Sequence, residues 1–142
     1  IIKDAYQKKA SSVSVPVEFI DIFPTLAQMC GVEAPAELSG KNLNDLDSKK
    51  EYYAFSQFPR PYAALHRAKA RTHMGYTVRD SRWRYVEWYD NDGNLAETEL
   101  YDLSQTELET ENLSGSPACS LDEVRLKSAL AKLSKNANFT AK

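Results

Sequence analysis

The feature that most constrains the fold is a pair of strand-like segments joined by a very tight turn. Residues 74–79 (MGYTVR) are strand-like, residues 82–89 (RWRYVEWY) alternate with a two-residue period, and only Asp80 and Ser81 separate them. This period is typical of a half-buried β-strand, and so short a connection favours antiparallel pairing. The segment therefore predicts a β-hairpin at the centre of the fold.

Further strands extend this hairpin on both sides. Residues 90–94 (DNDGN) contain the Asp-Gly hairpin signal and lead into a strand over 98–102 (TELYD). Residues 51–58 (EYYAFSQF) are rich in aromatic side chains and predict another strand, which Pro59 and Pro61 should end. The sequence thus predicts an antiparallel meander of three or four strands.

A helix is predicted over residues 17–31, ahead of the sheet. Asp21 can cap it, and Pro24 fits its first turn. Gly31 fits the position just after the last helical residue, where the helix ends. Apolar side chains recur every three or four residues and predict a buried face; they are Phe19, Ile22, Phe23, Leu26, Met29 and Cys30. Before this helix, residues 1–3 resemble the end of a buried strand.

A second helix follows the sheet. Ser120 and Glu123 resemble a capping box at its start, and residues 136–142 are expected to fray. Its apolar stripe predicts packing against the sheet; the stripe consists of Val124, Leu126, Leu130 and Leu133. The fold class is therefore α+β, a small antiparallel sheet of three to four strands with a C-terminal helix on one face.

The charges are distributed in two opposed blocks. Residues 60–84 hold seven basic residues and one acid, whereas residues 85–123 hold eleven acids and no Lys or Arg. The basic block can meet an anionic ligand, or the two blocks can neutralise one another across paired strands. The basic residues are Arg60, Arg67, Lys69, Arg71, Arg79, Arg82 and Arg84.

Most catalytic and metal-binding signatures are absent from the sequence. There is no GxGxxG, Walker, HExxH or GxSxG motif. Cys30 and Cys119 lie outside any CxxC or Cys/His cluster, so no zinc site is expected, and whether they pair stays open. His66 and His73 flank the basic loop and are either plain surface residues or switchable donors to an anion.

Several segments in order resemble the C-terminal region of the sulfatases, members of the alkaline phosphatase superfamily. They are 17–26 (VEFIDIFPTL) closing at 30–32 (CGV), 38–43 (LSGKNL), 79–85 (RDSRWRY), and 99–103 (ELYDL) followed by 111–113 (ENL). Residues 104–106 (SQT) stand where the family often has an Asp-Pro pair. The resemblance covers nearly all of residues 1–115.

Two further segments resemble iduronate-2-sulfatase-like enzymes. They are 56–61 (SQFPRP) and 74–79 (MGYTVR). This resemblance implies a sulfated sugar or glycosaminoglycan substrate and a periplasmic, secreted or lysosomal location. It also implies that Gln57, Arg60, His66 and His73 contact the substrate at the pocket rim, with Tyr62 available to stack on a sugar.

The family's catalytic machinery does not map onto this chain. Sulfatases use a formylglycine made within a C/S-x-P/A-x-R motif, which neither Cys30 nor Cys119 fits, and a calcium site in the larger N-terminal part. The resemblance therefore implies a sulfatase fragment with no catalytic or metal-ligating residue, inactive alone, whose partners are that N-terminal part and a sulfated saccharide. Neither nucleic acid nor membrane is expected as a partner.

The resemblance also implies a division of the chain. Residues 1–50 would be the end of the large sulfatase α/β domain, and residues 51–142 the C-terminal α+β subdomain. The alternative is an independent α+β anion-binding module that uses residues 60–84, with nucleic acid as one ligand. The helix over 17–30 discriminates between them, because a self-contained domain should bury its apolar face and a fragment should not.

Overall fold

The computed structural model describes residues 12–104 and 108–136, with the backbone alone for Ala68 and residues 133–136. The chain divides into two compact units between Tyr52 and Tyr53. The strand predicted at residues 1–3 and the tail at 137–142 lie outside the described residues.

The second unit is built on a four-stranded antiparallel sheet. Its strands are β1 (Ala54–Arg60), β2 (His73–Arg79), β3 (Trp83–Asp90) and β4 (Leu95–Asp102). Each strand pairs with the next one in the chain, in the order β1-β2-β3-β4. The predicted meander is therefore confirmed, with four strands.

The prediction that Pro59 ends the first strand is wrong. β1 continues through Pro59, which lies opposite Met74 on β2, and ends at Arg60. β1 is an edge strand, and a proline is tolerated there because its missing N–H can face away from the neighbouring strand.

One face of the sheet packs against helix α2 (Ser120–Asn136). Because side chains alternate along a strand, Val78, Tyr85 and Leu100 share this face, which we call the helix face. The buried cluster formed there consists of Val78, Trp83, Tyr85, Leu100, Leu126 and Leu130. The predicted α+β architecture is confirmed.

The start of α2 differs from the prediction. A short 3₁₀ turn, Pro117–Cys119, leads into the helix. The Glu123 carboxylate accepts hydrogen bonds from Ser114 Oγ and Gly115 N, so the expected capping box with Ser120 is not formed. Val124 is also 64% exposed rather than packed on the sheet.

The first unit contains helix α1 (Ile22–Met29), preceded by a 3₁₀ turn over Phe19–Asp21. The Asp21 carboxylate accepts from the backbone N–H groups of Glu18, at 2.8 Å, and Lys41, at 2.7 Å. It therefore caps the 3₁₀ turn and fastens the connector after α1, instead of capping α1 as predicted. Asp21 is 1% exposed, which explains why this carboxylate needs both donors.

The end of α1 agrees with the prediction. Gly31 has φ of +67°, its N–H donates to Gln28 O at 3.0 Å, and the N–H of Val32 donates to Ala27 O at 2.9 Å. These two bonds form a Schellman motif, which favours glycine because the position requires a positive φ.

The apolar face of α1 is exposed, so the expectation that this chain buries it is wrong. Phe19 is 91% exposed and Phe23 is 58% exposed, while Ile22 and Leu26 are also exposed. The buried side chains of the segment are instead Asp21, Thr25 and Ala27. Within the first unit, residues 12–52 provide no layer that covers this apolar face.

Candidate functional site

The connection from β1 to β2, residues 61–72, is the candidate site because it carries His66 and the exposed cations Arg67 and Lys69, and because it joins the predicted site residues Arg60 and His73. It begins with a cis peptide bond between Arg60 and Pro61. Both the N–H and the Oγ1 of Thr72 donate to Arg60 O, at 2.8 and 3.2 Å. Ala64 is buried. The loop is thus closed at its base and anchored near its middle.

Arg60 is fixed at the base of this loop by an aromatic ring and an acid. Its guanidinium carbon lies 3.6 Å from the centre of the Trp88 ring. Its Nη2 donates to Glu99 Oε1 at 3.2 Å, and Trp88 Nε1 donates to the same oxygen at 2.8 Å. This stacked and ion-paired arrangement holds the side chain rigidly.

Gly75 provides the space in which Trp88 lies. A Cβ at Gly75 would stand 2.6 Å from the Trp88 ring, so any larger residue would force the indole to move. Sequence reasoning missed the set formed by Gly75, Trp88 and Glu99. The available signal was a glycine inside a strand, which often marks the close approach of another group.

Three aromatic rings follow one another from β1 into the loop. The ring centroids of Phe58 and Tyr62 are 6.5 Å apart, and those of Tyr62 and His66 are 6.3 Å apart. Tyr62 is 69% exposed and Phe58 is 42% exposed. The loop therefore presents aromatic surface to solvent, where an apolar face of a ligand could pack on it.

The structure brings two of the four predicted site residues together. Arg60 and His73 are direct partners across β1 and β2, and His66 lies on the loop between them. His73 Nδ1 lies 3.0 Å from Thr72 Oγ1. Gln57 is exposed, but it alternates with Arg60 and lies on the helix face of the sheet, away from the other three.

The two charge blocks neutralise one another at several points. Arg60 pairs with Glu99, Arg82 pairs with Asp102 at 2.7 Å, and Arg84 pairs with Glu109. The Arg82 guanidinium holds the pKa of Asp102 well below its usual range by hydrogen bonding. The two blocks therefore neutralise one another in part, but only the pair of Arg82 with Asp102 lies beside two paired strands, since β1 and β4 are opposite edges of the sheet and Glu109 follows it.

The exposed cations on the loop remain outside these pairs. Within the part of the chain that the structure describes, Arg67 and Lys69 make no ion pair and are exposed. Arg71 is held by Asn91, whose Oδ1 accepts from Arg71 Nε at 3.3 Å. Within the basic block, the exposed cations outside these pairs are thus Arg67 and Lys69 on the loop and Arg79 at the end of β2, so only part of the block is available to an anion.

The described residues do not fit the metal or the nucleophile that sulfatases use. Across residues 12–104 and 108–136, no three His, Cys, Asp or Glu side chains converge as metal ligands. Cys30 and Cys119 are both free, and neither lies in the formylglycine motif. No helix in this part of the chain is long and apolar enough to cross a membrane.

These features define an α+β domain that presents a rigid aromatic and basic loop. Residues 4–136 match the family model described as N-sulphoglucosamine sulphohydrolase, C-terminal, and the chain belongs to this family of sulfatase C-terminal domains. Its four-stranded antiparallel sheet with a C-terminal helix is the fold of the structurally similar sulfatases.

Two curated relatives share much of this chain. Arylsulfatase K from Danio rerio is 31% identical over 107 residues, which are 75% of this chain and 20% of the relative. Delta 4,5-hexuronate-2-O-sulfatase from Bacteroides thetaiotaomicron is 28% identical over 116 residues, 78% of this chain and 22% of the relative. The chain thus spans about a fifth of the length of these relatives.

A solved structure described as a 2-O GAG sulfatase has the same fold. It matches with a TM-score of 0.66 and 26% identity, covering 84% of this chain and 25% of that one.

Proposed function

We propose that this chain is the C-terminal part of a sulfatase that hydrolyses sulfate esters of sugars, with glycosaminoglycan saccharides as the substrate class. The observation that carries this proposal is the family match over residues 4–136. The names of the relatives support the substrate class, since one is a hexuronate-2-O-sulfatase and another a 2-O GAG sulfatase.

We also propose that a catalytic part of the same protein covers the apolar face of α1. The exposure of this face supports the proposal. The relatives are about five times as long as the matched segment, so their remaining residues are numerous enough to form such a part. Covering Phe19 and Phe23 would remove two large aromatic side chains from water, each stabilising by about 1.5–3 kcal/mol. Residues 1–50 would then belong to the larger domain, as the sequence predicts.

In this proposal the chain itself binds and orients the substrate. Arg60, His66 and His73 lie at or beside one loop, where N–H groups can donate to sulfate oxygens. Gln57 would contribute from the other face of β1. Calcium, formylglycine and the bond-breaking step belong to the proposed catalytic part, and the protein acts in the periplasm, outside the cell or in a lysosome.

The experiment is a sulfate-release assay on the full-length protein. A 2-O-sulfated unsaturated glycosaminoglycan disaccharide should release sulfate, detected by ion chromatography. His73→Gln should raise KM about three- to tenfold with little change in kcat, because it removes a ground-state contact. Arg79→Gln, an exposed cation at the other end of β2, is the matched control and should leave KM unchanged.

Two results would contradict the proposal. The first is a correctly folded full-length protein that releases no sulfate from a panel of sulfated saccharides. The second is an unchanged KM in variants of His73, His66 and Arg60, which would contradict only the proposed contacts of these residues with the substrate.

A further inference from the structure

We propose that Tyr62, with Arg67 and Lys69, forms a saccharide-stacking site on the loop 61–72, which takes one anionic sugar residue of the substrate. This inference rests on the proposed function and deepens it, because it names the residues that bind a sugar ring rather than a sulfate alone. It separates the aromatic contact of Tyr62 from the polar contacts of Arg60 and His73.

The Tyr62 ring is both exposed and held. It is 69% exposed, with Phe58 tilted against one side at 6.5 Å and His66 edge-on at 6.3 Å between centroids. The remaining surface of the ring is open. The face of a pyranose carries several C–H bonds in one plane, and such an apolar face can pack flat on an aromatic ring while the hydroxyls stay in water.

The loop backbone is ordered by its own hydrogen bonds. Ala64 N donates to Pro61 O at 2.8 Å, Arg67 N donates to Ala63 O at 3.0 Å, and Ala70 N donates to Arg67 O at 2.8 Å. A loop fixed before binding loses less conformational entropy when the ligand arrives. The Tyr62 ring and the two cations are therefore carried by the same ordered loop.

The charge of the loop selects an anionic sugar. Among the residues described, Arg67 and Lys69 form no ion pair, in contrast to Arg60, Arg82 and Arg84. Acidic residues pair with Arg60, Arg82 and Arg84, and they leave the charges of Arg67 and Lys69 on the loop outside these pairs. A guanidinium and an ammonium group on the same loop as an exposed aromatic ring suit a planar or tetrahedral oxyanion on a stacked sugar, such as a carboxylate or sulfate.

The test measures binding to full-length protein in which the Cys or Ser of the formylglycine motif is replaced by Ala, so that no turnover occurs. The probe is a heparin-derived tetrasaccharide, titrated by calorimetry at physiological ionic strength, with its desulfated form and single-stranded dT12 as comparisons. Tyr62→Ala should weaken tetrasaccharide binding about tenfold, whereas Tyr62→Phe should bind as the parent protein does.

The charge contribution is tested with a matched pair of variants. Arg67→Gln combined with Lys69→Gln should weaken binding of the sulfated tetrasaccharide about tenfold and reduce its salt dependence. Arg79→Gln removes an exposed cation of the same sequence block and should change neither the affinity for the tetrasaccharide nor its salt dependence. The desulfated tetrasaccharide should bind more weakly and still lose affinity in Tyr62→Ala.

Three results would overturn the site. They are unchanged binding in Tyr62→Ala, equal losses in Tyr62→Ala and Tyr62→Phe, and dT12 binding that matches the tetrasaccharide and falls in the same variants. The failure of the proposed function looks different, since it is an absence of sulfate release from protein with an intact formylglycine motif. Near-ultraviolet circular dichroism of each variant checks that the loop remains folded.

Discussion

Asp80 is the side chain that fastens the β2–β3 turn to α2. Its Oδ1 accepts from the N–H groups of Arg82 and Trp83, at 2.7 and 2.6 Å, and its Oδ2 accepts from Arg125 Nη2 at 2.7 Å. Asp80 is 4% exposed. One carboxylate therefore accepts the two N–H groups of the turn and also pairs with a cation on the helix.

Replacing Asp80 by Ala should lower the free energy of unfolding by about 2–4 kcal/mol, because two turn N–H groups and the Arg125 guanidinium lose a buried partner. Urea unfolding of the chain measures the change. Asp92→Ala, in the exposed β3–β4 turn, is the control and should stay within about 0.5 kcal/mol. Equal effects of the two substitutions would show that the buried pair contributes nothing.

Glu87 joins two tyrosines on the helix face of the sheet. Tyr85 donates to Glu87 Oε1 at 3.1 Å and Tyr89 donates to Oε2 at 2.8 Å. Burial, followed by the hydrogen bond to Glu87, raises the pKa of Tyr89 from 10.0 to about 12. Burial and the charge of Glu87 also raise the pKa of Tyr85.

Stability should therefore fall at alkaline pH. A phenol whose pKa is higher in the folded state stabilises fully below pH 10.0, and this contribution is lost as pH rises toward about 12 for Tyr89. Tyr89→Phe should lower stability at neutral pH by about 1 kcal/mol and flatten the decline between these pH values. Urea unfolding across that range measures it, with the exposed Tyr62→Phe as control. An unchanged slope in Tyr89→Phe would refute this explanation.

At the scale of elements, α1 and its connector are joined by close backbone contact. Lys41 N donates to Asp21, Leu43 N donates to Thr25 Oγ1 at 2.9 Å, and a Cβ at Gly40 would stand 2.1 Å from Ile20 O. The obstructing atom belongs to the backbone, so it cannot move as a flexible side chain can. Glycine is thus required at this position by space alone.

Gly40→Ala should separate the connector from α1. We expect the amide hydrogens of Lys41 and Leu43 to exchange at least about tenfold faster, because their acceptors, Asp21 in the 3₁₀ turn and Thr25 on α1, move away. Hydrogen exchange followed by NMR measures both amides. Ser39→Ala, at the exposed preceding residue, should leave them protected, and equal protection in the Gly40 and Ser39 variants would contradict the account.

The sequence signals that worked at this scale are local ones. The alternation over 82–89 and the Asp-Gly turn at Asp92 and Gly93 depend on neighbouring residues, and they predicted the sheet. The capping of α2 was missed because Glu123 bonds to Ser114 and Gly115, which are brought there by the tertiary fold. Such a choice between partners leaves no local pattern.

The candidate site was predictable only in part, for the same reason. The motif SQFPRP indicated Arg60, and the positive block indicated the loop. The stacking of Arg60 on Trp88 depends on pairing across three strands, from β1 through β2 to β3. Nor does sequence spacing show that Glu99 neutralises Arg60, since the two lie on opposite edge strands.

At the scale of the whole molecule, the two units differ in how completely they bury their apolar residues. The second unit has its own core, with Tyr85, Leu100 and Leu126 almost fully buried. The first unit leaves Phe19 and Phe23 exposed. An apolar surface of this kind promotes association in water unless another surface covers it.

We expect residues 53–142 to unfold cooperatively on their own and to remain monomeric. The full 142-residue chain should bind the dye ANS and self-associate through α1, and the double substitution Phe19→Ser and Phe23→Ser should reduce both effects. Dye fluorescence and sedimentation velocity measure them. Two results would contradict this division of the molecule. They are equal dye binding by the double variant and the full 142-residue chain, and non-cooperative unfolding of residues 53–142.

The most direct test of the central claim is sulfate release by the purified 142-residue chain beside the full-length protein. The chain belongs to the sulfatase C-terminal family, and its described residues hold no metal-ligating cluster. We expect sulfate release from a sulfated glycosaminoglycan disaccharide by the full-length protein and none by the chain alone. Turnover by the isolated chain, with contaminating sulfatase excluded, would contradict it.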